Sequence, residues 1–164
     1  MVAVKVFSPA HITGLFAVEE GGNPLLRGSC GVGVTLARGV YTWVEAEPAA
    51  AWKVEVRTRG ASINGEVTLR VFELLRGKAH RPYHVRITHE FQVPVGAGYG
   101  ASGAGALGAA LGLNETMGIG LSRLEAANVA HVAEVECGTG LGTVLAETWG
   151  GLGFRVKAGA PSIG

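Results

Sequence analysis

Charge is scarce in this sequence. Asp, Glu, Lys and Arg make up only 16% of it, and they nearly cancel to a formal net charge of +1. That balance gives no electrostatic case for nucleic acid or an anionic membrane as a partner. Cysteine is scarce too. Cys30 and Cys137 stand alone, with no Cys-x-x-Cys and no partners at metal spacing, which argues against a disulfide scaffold or a zinc ribbon. The expectation is two reduced thiols in a cytoplasmic protein, in preference to a disulfide between them. Long apolar runs are missing as well. The longest, Ala101 to Leu113, is shorter than the about 20 residues that span a bilayer. Met1 to Phe7 alternates like a strand and lacks the apolar block of a signal peptide. No internal repeat and no dividing linker is found, so residues 1–164 are read as one domain.

Glycine is abundant. The chain has 27 in 164 residues, more than double the usual share of about 7%. With 48% hydrophobic residues, this is a packed globular chain in which many backbone positions must turn sharply or approach something closely. The densest stretch runs from Val93 through Pro94, Gly96, Gly98, Gly100, Ala101, Ser102 and Gly103 to Gly105. A strand ends at the proline, a glycine loop follows, and a small-residue helix begins. Exposed loop amides and a helix start together make a seat for an anion, most often a phosphate.

Alternation places strands at Val2 to Val6, Leu15 to Val18, Trp52 to Arg57 and Tyr83 to Phe91. Ser8 to His11 breaks the first of these. Val32 to Leu36 and Val40 to Glu45 read as a hairpin about Ala37-Arg38-Gly39. Gly60 to Gly65 reads as a turn. Val67 to Leu75 has helical spacing, with Asn64 as N-cap and Gly77 as stop. Helices follow from Ala101 to Leu113 and from the capping box Ser122-Arg123-Leu124-Glu125 to Cys137. Thr143 to Thr148 and Leu152 to Lys157 read as a closing pair of strands, and Ala158 to Gly164 carries no fold signal. Strands, then paired helices, then strands give an α+β class with a mainly antiparallel sheet.

Gly98-Tyr99-Gly100-Ala101-Ser102-Gly103 formally matches the dinucleotide fingerprint G-x-G-x-x-G. That fingerprint belongs in a βαβ unit with an acidic residue about 20 residues on. Here a second helix follows, which argues against it. Gly103, Gly105, Gly108 and Gly112 fit close helix packing, whereas Gly98 and Gly100 precede the helix and need another reason. Ser102 is either a capping serine or a hydroxyl for phosphate and Mg²⁺. His131 and Glu134, three apart, share a helix face, with structural and functional readings both open. They are too few for zinc. Arg155 is either a solvated strand residue or a fork for a substrate carboxylate. His11 is either a turn residue or a pocket residue.

Taken together, these motifs resemble the GHMP kinase superfamily, which includes galactokinase and the homoserine, mevalonate and phosphomevalonate kinases. Pro94-x-x-x-Gly98-Tyr99-Gly100-Ala101-Ser102-Gly103-Ala104 resembles the family's phosphate loop. Ser8-Pro9-Ala10-His11-Ile12-Thr13-Gly14, Gly28-Ser29-Cys30-Gly31, Ala130-His131-Val132-Ala133-Glu134, Thr139-Gly140-Leu141-Gly142 and Lys157 to Gly164 are most similar to the archaeal pantoate kinase branch, of coenzyme A biosynthesis. The resemblance covers essentially the whole chain. It implies the family's N-terminal domain, a ribosomal-protein domain-2-like fold with a left-handed βαβ unit. It also implies ATP-dependent phosphorylation of a pantoate hydroxyl. ATP would rest on Pro94, Gly96, Gly98, Gly100, Ala101, Ser102 and Gly103. Ser102 and Glu134 would hold Mg²⁺. His11, Ser29, His131 and Arg155 would line the pantoate pocket, with Arg155 on the carboxylate.

Two positions depart from the family pattern. Thr143 stands where the family usually carries an aspartate that acts as base or orients the acceptor hydroxyl, and Cys30 stands where the family tends to be basic. Family enzymes are also about twice this long. The resemblance therefore implies an absent C-terminal domain, and either a homodimer or a missing C-terminal half, lost from a fragment or supplied by a second chain. A non-catalytic binding module, or another small-molecule kinase of the superfamily, are the alternatives.

Overall fold

A computed structural model describes residues 1–60 and 63–164. Its frame is a ribbon of two long antiparallel strands, β1 (Val2–Glu19) and β2 (Gly28–Pro48). The sequence reading broke each of these in two. In the structure, Ser8 to His11 and Ala37-Arg38-Gly39 are both absorbed into the ribbon. Pro9 pairs with Gly39 and His11 with Thr35, so the register shifts between them. Proline has no amide to continue the ladder, and residues 36–38 bulge opposite a single residue instead of turning. The expected hairpin at 37–39 is thus a β-bulge.

One half of β2 pairs with β4 (Tyr83–Phe91), and β4 pairs in parallel with β3 (Lys53–Arg59). The helix α1 (Glu66–Arg76) joins these two strands as a parallel β–α–β unit. The other half of β2 pairs with the short β5 (Leu152–Arg155). The sheet order is β1-β2-β4-β3, with β5 beside β2. The turn expected over Gly60 to Gly65 includes residues 61 and 62, which lie outside the described residues. The N-cap of α1 is Gly65, not Asn64. The Asn64 side chain instead accepts from the Glu66 amide at 3.2 Å.

Helices α2 (Ala101–Thr116) and α3 (Arg123–Cys137) pack with α1 on one face of the sheet. The core joins Val44, Ala46, Val85 and Ile87 of the sheet to Phe72, Leu75, Leu107, Leu113 and Ala130 of the helices. Helix α2 is almost entirely buried because it is built of Gly and Ala. A Cβ at Gly108 would strike Thr42, and one at Gly112 would strike Val44. Those two glycines let α2 press directly onto β2. The Ser122–Glu125 capping box of α3 is present in both directions, as its spacing predicts.

Thr143–Trp149 is a helix, α4, and not the expected strand. Its run Val144-Leu145-Ala146 has no period of two. Residues 144–148 are all buried, with none of the alternation of a half-buried strand, and Gly150 ends the helix with φ 76°. The tail, unreadable in sequence, packs against the β1–β2 loop through the Ala160 amide, which donates to the Leu25 carbonyl at 2.8 Å. Among the described residues no helix is long and apolar enough to cross a membrane.

Candidate active site

The glycine loop is clasped at both ends to the bulge of the β1–β2 ribbon. The Gln92 amide donates to Gly39 O, and the His11 amide donates to Tyr99 O, each at 2.9 Å. Between these clasps the loop turns through Gly96, Gly98 and Gly100, with φ of 75°, 80° and 66°. Gly100 is the N-cap of α2 and supplies no side-chain cap. A residue with a side chain would be strained in this left-handed conformation, and its Cβ would strike Thr143. The first amides of α2 therefore face the loop without a side-chain partner, which is the arrangement that attracts an anion.

Ser102 is not the cap. Its hydroxyl donates to Oε1 of Glu134, on α3. The Thr139 hydroxyl donates to the same oxygen at 2.8 Å. Glu134 is only 2% exposed. Burial raises its pKa, partly offset by the hydrogen bonds from Ser102 and Thr139. The loop after α3 allows this approach, since a Cβ at Gly140 would strike Glu134 Oε2.

A cavity of about 490 Å³ opens over this seat. Gly96, Gly98, Gly100, Ala101 and Ser102 line it, together with His11, Thr143, His89 and the start of α1. His89 is fully buried and bridges Thr42 and Thr68 at 2.9 Å on each ring nitrogen. Burial lowers its pKa to about 4, so the ring is neutral at pH 7. Pro94 is exposed and leads into the loop, and Gly103 faces away from the cavity toward the carboxylates.

A second cluster adjoins the first through His11. Arg155, on β5, pairs with Gly31 of β2, a position with no side chain to crowd it. It is buried. Its Nε donates to Ser29 O at 3.4 Å and its Nη2 to Ser29 Oγ at 3.5 Å. Among the described residues its Nη1 is buried without a partner, and so is His11 Nε2. Burial, with the Arg155 charge added, lowers the His11 pKa to about 4. A neutral imidazole edge and an under-used guanidinium thus sit together, ready for a carboxylate or a hydroxyl. Gly142 closes the cluster, with its Cβ position 2.9 Å from Ser29 Oγ and 3.3 Å from Arg155 Nε.

His131 is placed elsewhere. Its Nε2 lies 3.1 Å from Pro24 O and 2.9 Å from Arg27 O. Both partners are acceptors, so Nε2 carries the proton and pins the β1–β2 loop onto α3. His131 lines neither the cavity nor the Arg155 cluster. Cys30 and Cys137 are free thiols, and Cys30 donates to Glu19 Oε1 at 2.9 Å.

The sequence reading missed Glu147. It lies one helical turn beyond Thr143 and is 2% exposed, and among the described residues both its carboxylate oxygens are buried without a partner. Read as a strand, residues 143–148 gave no reason to single it out. Read as a helix, the i, i+4 spacing to Thr143 is the signal that would have found it.

Mg²⁺ takes oxygen ligands and is usually held by one or two carboxylates, with waters and substrate phosphates completing its shell. The Ser102 hydroxyl and the Glu134 carboxylate, below a phosphate seat, fit that ion. Among the described residues no group of three or more His, Cys, Asp and Glu side chains is placed to cage a metal, so the donor set suits a cation that shares its shell with substrate.

The family model for the GHMP kinases N terminal domain matches residues 66–151. The chain is 36% identical to pantoate kinase of Thermococcus kodakarensis over 98% of its own length and 54% of that protein's. It is 35% identical to pantoate kinase of Methanocaldococcus jannaschii, over 95% and 54%. Its fold matches a solved "phosphotransferase related to CoA biosynthesis pathway" with TM-score 0.90 and 36% identity, covering 99% of this chain and 56% of the other. The chain thus spans about half the length of the curated relatives it matches.

Proposed function

The chain belongs to the GHMP kinase family, and on that premise we propose that it forms the phosphate- and acceptor-binding half of a kinase that phosphorylates pantoate with ATP. The observation that carries this reading is the Ser102–Glu134 hydrogen bond beneath the uncapped start of α2. It sets a cation-holding pair directly under a phosphate seat. The similarity to two pantoate kinases supports the choice of acceptor.

The phosphates of ATP rest against the amides of the glycine loop and the first turn of α2. Ser102 and Glu134 hold Mg²⁺, which when bound neutralises charge on the transferring phosphoryl group. Arg155 and Ser29 hold the acceptor's carboxylate. His11, neutral and bordering both clusters, hydrogen-bonds the acceptor where it meets the γ-phosphate. Thr143 lies against Gly100 and orients the acceptor hydroxyl; it is no base. Phosphoryl transfer depends mainly on positioning and electrostatics, so a threonine there lowers the rate without abolishing it. His131 supports this site by holding the loop that precedes Ser29.

The test is ADP release with Mg-ATP and pantoate, homoserine or mevalonate, measured on the chain alone and together with a C-terminal half. Turnover that depends on pantoate is expected. Turnover only with another acceptor would replace the substrate, and no turnover in any combination would overturn the kinase reading.

A further inference from the structure

We propose that Glu147 is a second carboxylate ligand of the divalent-cation site beneath the glycine loop. The proposal rests on the reading of Ser102 and Glu134 as the cation-holding pair and adds a residue to it from α4. Burying an ionised carboxylate is costly unless it is paired, and among the described residues Glu147 has no partner on either oxygen. Burial, with the neighbouring acid Glu134 added, raises its pKa well above the usual carboxylate range. Water between the two acids would satisfy single lone pairs and leave the charge uncompensated. A hard divalent cation answers both carboxylates at once.

The direction of the side chain supports the same conclusion. Glu147 Oε2 lies 2.8 Å, and Glu134 Oε2 3.0 Å, from the Cβ position of Gly103. Glu147 Oε1 lies 2.6 Å from the Cβ position of Gly100. Two acids from different helices therefore converge on the bare backbone at the start of α2, beside the Ser102 hydroxyl. A site with one carboxylate and one hydroxyl needs substrate phosphate to complete a cation's shell. With Glu147 added, the chain's own donors are expected to take up the cation before any nucleotide arrives, substrate phosphates then completing its shell.

The test is Mn²⁺ binding to the nucleotide-free chain, read by loss of the free-ion electron paramagnetic resonance signal. The chain is expected to take up one Mn²⁺, and Glu147→Gln to weaken that binding at least tenfold. Glu134→Gln should weaken it at least as much. Far-ultraviolet dichroism and thermal unfolding in EDTA should show Glu147→Gln as stable as the parent or more so, because the amide removes a buried acid. Glu147→Asp, which keeps the charge but retracts it, should bind with intermediate strength and serves if the glutamine variant does not fold. Mn²⁺ affinity unchanged in Glu147→Gln or Glu147→Asp would overturn the proposal. So would a chain that takes up no Mn²⁺ without nucleotide. If only Glu134→Gln lost binding, the Ser102–Glu134 reading would stand and the role of Glu147 would fall. None of these readouts depends on pantoate or on turnover.

Discussion

The two ends of the β1–β2 ribbon are built to opposite rules. At the end that pairs with β4, the inner face is mostly apolar and closed: Val44, Ala46, Val85 and Ile87 meet Phe72, Leu75, Leu107 and Leu113. The buried Thr42 and His89 bond each other, and only the Ser8 hydroxyl is left without a partner among the described residues there. At the end that pairs with β5, the buried groups are polar and unfinished. His11 Nε2, Arg155 Nη1 and both oxygens of Glu147 have no partner there. That end also shows apolar side chains to solvent, with Leu15 66%, Leu152 68% and Phe154 71% exposed. The contrast separates what folds the chain from what it is for. Hydrophobic burial has been completed at one end. The other end carries the cost of desolvated, unpaired polar groups, a cost that the ligands proposed for it would relieve.

Truncation should divide the two ends. Leu113→Ala is expected to cost about 2–5 kcal/mol of stability, from lost burial plus a cavity, as measured by urea unfolding. Equal loss from substitutions at the β5 end would break the comparison.

His89 lies where the closed end meets the cavity and gives the next largest effect. Its folded pKa of about 4 is below the usual 6.5, so the unfolded chain takes up its proton first as pH falls. The stability contributed by the neutral ring is present above pH 6.5 and is lost between about 6.5 and 4, on the order of 3 kcal/mol. Unfolding titrations of the parent and of His89→Gln over that window should show a shallower decline in the variant. Parallel curves would show that His89 is not held neutral.

Arg155→Met should leave stability unchanged or raise it, because a buried and under-paired charge is replaced by a side chain of similar bulk. The same change should weaken pantoate binding by roughly 10- to 100-fold, through loss of charged hydrogen bonds of about 1.5–3 kcal/mol. The smallest effect is expected for Phe154→Ser, within about 0.5 kcal/mol, since most of that ring is already in water. A large loss there would mean that the open end is packed in the isolated chain after all.

The fold was legible in the sequence where a local signal agreed with the tertiary surroundings. The capping box at Ser122, the alternation of Tyr83 to Phe91 and the glycine-to-helix transition at Gly100 are such places. It was misread where the deciding contact is distant. Nothing near Pro9 or Gly39 says that the two face each other across a ribbon, so a bulge looked like a break and a turn. Thr143 to Thr148 was misread for a different reason. A short apolar run fits a strand or a buried helix equally well, and packing against α2 decides it. The site followed the same division. Ser102, Glu134 and Arg155 were visible as residues of fitting chemistry, and Ser29 only through the family resemblance. That Ser102 pairs with Glu134, that Arg155 pairs with Ser29, that His131 ties down a loop, and that Glu147 belongs beside Glu134 all depend on contacts between distant segments.

The proposed function requires the open end to hold two ligands in two adjoining clusters. Calorimetric titration of the chain and its variants with a non-hydrolysable Mg-ATP analogue and with pantoate tests it most directly. The account predicts that Ser102→Ala loses the nucleotide and keeps pantoate, while Arg155→Met loses pantoate and keeps the nucleotide. Binding of both ligands undisturbed by either change would contradict it.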